Sequence, residues 1–208
     1  MAETLVDQLI HEGVLKTPAI IAAFRAVPRE DFLPDREKPS ANANAPIYIG
    51  YGQTNSQPLT VAYMLELLQP KPGERVLDIG AGSGWTAALL AQIVGPTSNT
   101  TAIERIPQLY AFAKRNLEKY STLPVTLLQG DASVGYARNA PYDVIHSAAA
   151  AKVMPQALID QLADGGRLLI PVGEDIQTLT LVTKTGRTTH TKEFPGFAFV
   201  PLIQGENT

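Results

Sequence analysis

Apolar residues recur at two periods along this chain, and each change of period marks a change of element. From Thr4 to Glu12 the apolar positions Leu5, Val6, Leu9 and Ile10 repeat at helical spacing. Thr17-Pro18 can cap and open a second helix, Ala19 to Ala26, which ends before Val27-Pro28. The stretch Asp35 to Ala45 is rich in Pro, Ala and Asn and too poor in apolar residues for a core, so it reads as a connector or cover. Pro46 to Pro58 then crowds glycines, hydroxyls and amides ahead of a helix over 59–68. Beyond Pro70-Lys71-Pro72-Gly73 the pattern alternates. Strand-length apolar runs fall at 75–80, 100–104, 124–129, 142–148, 166–171 and 177–184, with helices over 84–94, 107–119 and 155–162. This order predicts an α/β fold, a doubly wound and mostly parallel sheet covered on both faces, behind an N-terminal helical cap. Phe197 to Leu202 is expected to join 177–184 as antiparallel strands at one sheet edge.

The first of those strands, Val76-Leu77-Asp78-Ile79, runs into Gly80-Ala81-Gly82-Ser83-Gly84-Trp85 and then a helix-forming stretch. Strand, glycine turn and helix let a backbone approach a ligand closely and aim helix N–H groups at its polar part. The spacing is G-x-G-x-G behind an acid, not the G-x-G-x-x-G of a dinucleotide fold. An acid there repels a pyrophosphate but suits a ligand bearing ammonium and sulfonium charges. The next strand ends in Glu104, placed to accept from ribose hydroxyls, and Gly130-Asp131 offers a turn and an acid where an adenine can be held. Together these residues look like the S-adenosylmethionine site of a class I methyltransferase. The plain alternative is a tight structural turn with Glu104 as a solvated strand end. Thr54-Asn55-Ser56 likewise reads either as a helix N-cap or as a polar loop that can hold a peptide backbone or carboxylate.

Composition narrows the partners. The 208 residues are 45% hydrophobic and 18% charged, with a net charge of −3 and no cysteine. Disulfides, thiolate catalysis and Cys-ligated zinc are therefore excluded, and no metal is expected. Lys and Arg are scattered, with no basic stripe to suit nucleic acid. The N-terminus lacks a basic-then-apolar leader and no apolar run reaches membrane-spanning length, so a cytoplasmic protein without a membrane partner is expected. Of His11, His146 and His190, only His146 falls near the expected site, and in its context it reads as a satisfied strand-end residue.

With these residues in view, the chain resembles the protein L-isoaspartyl O-methyltransferase family over nearly its whole length. The resemblance rests on Val27 to Phe32, Ile49 to Pro58, Arg75 to Trp85, Ile103-Glu104-Arg105, Ala140 to Asp143, Gly165 to Leu168, Ile170 to Gly173 and Phe199 to Leu202. The departures are Asn55 where the family usually has an apolar residue, Ala132 where it has Gly, and Trp85 where it has Tyr. The resemblance implies one methyltransferase domain, with 1–58 as cap and substrate loop and 59–208 as the cofactor-binding core. It implies S-adenosyl-L-methionine as cofactor, held by Asp78, Gly80, Ala81, Gly82, Ser83, Gly84, Trp85, Glu104, Arg105, Asp131, Ala132 and Gln177. Ser56 is the expected active-site hydroxyl, and Gln53, Thr54, Asn55, Val200 and Pro201 join it in binding isoaspartyl peptides. A monomer is expected. Two other readings stay open, the same fold acting on another acceptor and a cofactor-binding member without turnover.

Overall fold

The computed structural model describes residues 4–203 and 205. Its central strand β3 (Val76–Ile79) is buried along its whole length, as a strand covered on both faces is, with Asp78 as the single polar residue in it. β3 pairs in parallel with β4 (Thr100–Glu104) on one side and β6 (Tyr142–Ser147) on the other. The chain thus leaves β3 outward through β4 and β5 (Val125–Gln129), then returns across the sheet to β6. That reversal opens a crevice at the carboxyl ends of β3 and β4, the place where doubly wound sheets bind ligands. β7 (Leu162–Val172) continues the parallel run, and β8 (Gln177–Thr185) and β9 (Thr188–Phe197) close the edge antiparallel, giving the order β5-β4-β3-β6-β7-β8-β9.

Side chains leave successive strand positions on opposite faces, and the core divides accordingly. Val76, Val144 and Leu169 face α1 (Leu5–His11), α2 (Pro18–Ala26), α3 (Pro58–Leu68) and α4 (Trp85–Val94). Leu77, Ile79, Ile145, Leu168 and Ile170 face α6 (Gln156–Asp160). α5 (Pro107–Glu118) packs on β4 and β5. The N-terminal cap is keyed into this frame by Trp85. Its ring meets Phe24 edge-on at 5.6 Å and its Nε1–H donates to Val27 O at 3.1 Å.

The doubly wound expectation holds, with three local corrections. The polar 46–58 segment contains a hairpin, β1 (Ile47–Gly50) and β2 (Gln53–Asn55), turned through Tyr51 and Gly52 at φ 55° and 73°. The left-handed backbone at the second turn position explains the glycine there. The antiparallel edge beyond β8 is β9, which includes Phe197 but none of residues 198–202; these instead cross the carboxyl end of the sheet as a strap that bridges in parallel through Pro201 to Ala150. Helix 155–162 is shorter and strand 166–171 longer than expected, because Leu162 already pairs with Tyr142.

Candidate active site

A cleft of about 680 Å³, counting its mouth, lies at the carboxyl ends of β3 and β4. Gly80 and Gly82 form one wall, Glu104 and Arg105 another, Gly130 and Ala132 a third. Ala148 and Ala149 from the end of β6 and the strap Val200 to Ile203 close over it, with Gln53 and Thr54 of β2 at the rim. Gly82 sits at φ 56°, and only a residue without Cβ takes that conformation cheaply while leaving the ligand side open.

Glu104 is the anchor of the cleft. Its Oε2 accepts from Gly82 N at 2.7 Å and its Oε1 from Ile106 N at 2.8 Å, so the carboxylate is fixed between the glycine turn and the start of α5. Only 5% of the residue is exposed. Burial pushes its carboxyl above the ordinary value, opposed by those backbone donors and helped by the neighbouring Asp78. Each oxygen retains lone-pair capacity for a second donor.

The other expected cofactor residues divide. Gly80, Gly82, Glu104, Arg105 and Ala132 line the cleft. Asp78 has its Oδ1 2.7 Å from His146 Nδ1, both side chains sealed from solvent, so His146 is satisfied at its strand end. Ser83 is buried, its Oγ accepting from Asn55 and its carbonyl from Asn116 Nδ2 at 2.9 Å. Trp85 belongs to the cap contact described above rather than the cleft. Asp131 accepts from Ser133 N at 2.8 Å and, across the strap, from Gly205 N at 2.7 Å. Partial burial works to raise its carboxyl, but these donors and the charge of Arg105 leave it below the usual range. Gln177 holds the strap, its Oε1 accepting from Phe199 N at 2.7 Å.

Ser56 opens on a second, adjoining groove with Gln57, Thr60, Phe199 and Val200. Thr54, Ala148 and Val200 belong to both cavities and form the wall between them. Pro201 faces the cleft. Asn55 lies behind both, 4% exposed. Sequence reasoning missed Arg29, whose buried guanidinium donates to Asn55 Oδ1 at 2.7 Å, Ala45 O at 2.8 Å, Ala43 O at 2.9 Å and Ser56 O at 3.0 Å. It also stands over the Trp85 ring at 5.6 Å. Burial pushes it down to about 10, still protonated at neutral pH. No local signal marks it, because its partners return from residues 41–56.

The cleft fits a nucleoside with a charged tail. Two buried polar atoms lack partners here, the acceptor Asp78 Oδ2, sealed two residues ahead of Gly80, and the donor Nε of Arg105, which lines the cleft. An ammonium and a ring or hydroxyl oxygen are the complementary groups.

A doubly wound sheet with a glycine turn after β3 and a buried carboxylate ending β4 places the chain among nucleoside-binding folds, and the G-x-G-x-G spacing with the antiparallel β8–β9 edge is the class I methyltransferase form of it. The profile described as protein-L-isoaspartate(D-aspartate) O-methyltransferase matches residues 1–207. A protein-L-isoaspartate O-methyltransferase from Aeropyrum pernix is 44% identical over 203 residues, covering 96% of this chain and 78% of the relative. One from Methanopyrus kandleri is 43% identical over 208 residues, covering 98% and 92%. A crystal structure from Plasmodium falciparum, described as a protein-L-isoaspartate O-methyltransferase in complex with S-adenosyl-L-homocysteine, superposes with a TM-score of 0.87 at 25% identity, covering 97% of each chain. This chain belongs to the protein-L-isoaspartate(D-aspartate) O-methyltransferase family.

Proposed function

We infer that this protein methylates the free α-carboxylate of L-isoaspartyl residues in damaged proteins and peptides, with S-adenosyl-L-methionine as methyl donor. The observation that carries the reading is the wall of Thr54, Ala148 and Val200, residues that line both the cleft beside Glu104 and the groove holding Ser56. The bound cofactor supplies a methyl group on a positively charged sulfur. Glu104 would hold its ribose, Gly80 and Gly82 would lie against its amino-acid portion with Ala81, Ser83 and Gly84 shaping the turn behind them, and Arg105 and Ala132 would flank the nucleoside. Asp78 Oδ2 would take its ammonium, while Asp131 and Gln177 hold the strap that covers it.

In the groove, the Ser56 hydroxyl would orient the acceptor carboxylate, with Gln53 and Thr54 beside it and Val200-Pro201 along the peptide. A carboxylate with an ordinary pKa near ~4 is already ionised at neutral pH, so no general base is needed. The work left to the protein is alignment and exclusion of water. Alignment alone is worth roughly 7–11 kcal/mol in well-oriented cases. The wall and strap residues Ala148, Ala149, Val200, Pro201 and Leu202 bring apolar surface to the reaction. As the new carbon–oxygen bond replaces the carbon–sulfur bond, both charges vanish, and a water-poor site favours that change. The backbone amide nitrogen then attacks the methyl ester and expels methanol to close a succinimide without further help, and water reopens the ring in part to normal aspartate.

The same reading takes the chain as one catalytic domain, with 1–58 as cap and substrate loop, acting as a cytoplasmic monomer on proteins rather than nucleic acid. Among the described residues no helix is long and apolar enough to cross a membrane. Incubation with methyl-labelled S-adenosyl-L-methionine and an isoaspartyl peptide, beside its aspartyl twin, tests the assignment. Label enters only the isoaspartyl peptide; equal labelling of both, or of neither, rejects it.

A further inference from the structure

β2 divides its side chains among three destinations. Gln53 and Thr54 reach the cleft, Ser56 just beyond the strand reaches the groove, and Asn55 between them turns inward to neither. Both ends of its amide are used. Arg29 Nε can only donate, so the atom 2.7 Å from it must be the amide oxygen, and the amide nitrogen therefore faces Ser83 Oγ at 3.0 Å. Ser83 lies inside the glycine turn, next to Gly82, whose N–H is held by Glu104. Arg29, on the other side of Asn55, donates to the carbonyls of Ala43, Ala45, Asn55 and Ser56. Among the described residues, Asn55–Ser83 is the one hydrogen bond that joins residues 41–57 to the turn.

We propose that Asn55 is a positioning residue that couples the two halves of the site: occupation of the glycine turn fixes Ser83, and through Asn55 and Arg29 fixes the backbone that carries Ser56. The physical reason is burial. A displaced turn would leave the Asn55 amide, and then an Arg29 donor, without partners in a region closed to water, so turn and loop settle together or not at all. An apolar side chain at position 55 packs against the same neighbours but transmits no such constraint. In this chain, filling the cleft steadies the acceptor loop and with it the wall of the peptide groove.

This rests on the cofactor assignment above, and its test is arranged so that the two fail separately. Hydrogen–deuterium exchange over residues 41–56 is read with and without saturating S-adenosyl-L-homocysteine, whose binding to each protein is followed by calorimetry. The proteins are the wild type, Ser83→Ala, Ser83→Thr and Asn55→Leu. In the wild type the ligand slows exchange of the segment by about fivefold or more, the lower end of ordinary coupling between sites. In Ser83→Ala and Asn55→Leu the slowing falls below about twofold although the ligand still binds, and Ser83→Thr, which keeps the hydroxyl, restores it. A merely structural bond would raise exchange equally with and without ligand and leave the ratio unchanged; that result overturns the proposal, as does a wild-type segment indifferent to bound ligand. Should Asn55→Leu not fold, Ser83→Ala, which removes a single oxygen, decides alone. A wild type that binds no S-adenosyl-L-homocysteine would instead remove the cofactor assignment, and this inference with it.

Discussion

His146 Nδ1 lies 2.7 Å from Asp78 Oδ1, and the two residues are register partners across the parallel pair β3 and β6. Their side chains therefore leave the sheet on the same face, and neither meets bulk water. The acid that precedes the glycine turn is thus tied to its neighbouring strand before any ligand arrives.

His146→Leu leaves the Asp78 carboxyl buried with neither oxygen partnered, since Oδ2 has no partner already. The loss should be about 3 kcal/mol or more of unfolding free energy. Asp78→Asn keeps an acceptor for the ring and should cost clearly less. Urea denaturation of the two variants, read as a shift of midpoint at constant slope, checks the order.

Arg29 is a buried cation whose charge is met by carbonyl oxygens and the Asn55 amide rather than by an acid. Arg29→Lys keeps the charge but loses the fork that reaches two segments of backbone at once, around Ala43–Ala45 and Asn55–Ser56. It should destabilise by about 2 kcal/mol or more and hasten proteolysis of the 41–56 segment. Limited proteolysis beside urea denaturation measures both.

Glu104 supplies a pH dependence. Its carboxyl is raised by burial, so on acidification it takes up a proton at a higher pH than an ordinary glutamate. Protonation removes one acceptor from the cleft. Affinity for S-adenosyl-L-homocysteine should therefore be full at neutral pH and weaken as pH falls toward the ordinary carboxylate range from above. For the empty protein the stability effect is opposite in direction. A raised carboxylate is a burden in its charged form, and that burden is relieved as pH falls through the folded value. Calorimetric titrations from neutral pH down toward the ordinary carboxylate range should show the affinity loss in the wild type and a weaker, flat affinity in Glu104→Gln.

Ser56→Ala should lower kcat/KM for an isoaspartyl peptide by roughly tenfold to a hundredfold, the loss of one hydrogen bond to a charged group. Affinity for S-adenosyl-L-homocysteine should stay within about twofold, because Ser56 lies in the groove beyond the wall. Steady-state kinetics with calorimetry on the same preparation separates the two.

What could be read ahead from the chain followed physical lines. β3 and the glycine turn were legible because a short, largely apolar run leading into alternating glycines has few alternatives, and β4 with Glu104 followed from the strand–helix alternation after it. β9 was not, since Thr188 to Glu193 is polar and exposed on both faces and shows no period. The hairpin in 46–58 was hidden because its strands are only 4 and 3 residues long. Asn55, Ser83 and Trp85 were placed near the site by their neighbours in sequence, but sequence does not say which way a side chain turns. All three turn into the contact between cap and glycine turn. Arg29 could not be found at all, because an arginine among exposed-looking neighbours betrays its burial only when the carbonyls of residues 43–56 fold back around it.

A crystal structure with S-adenosyl-L-homocysteine tests the central arrangement most directly. The ribose hydroxyls should lie within hydrogen-bond distance of Glu104, and the sulfur should face the wall of Thr54, Ala148 and Val200, with the Ser56 groove directly beyond it. A nucleoside bound away from Glu104, or a sulfur turned away from that wall, would contradict the account.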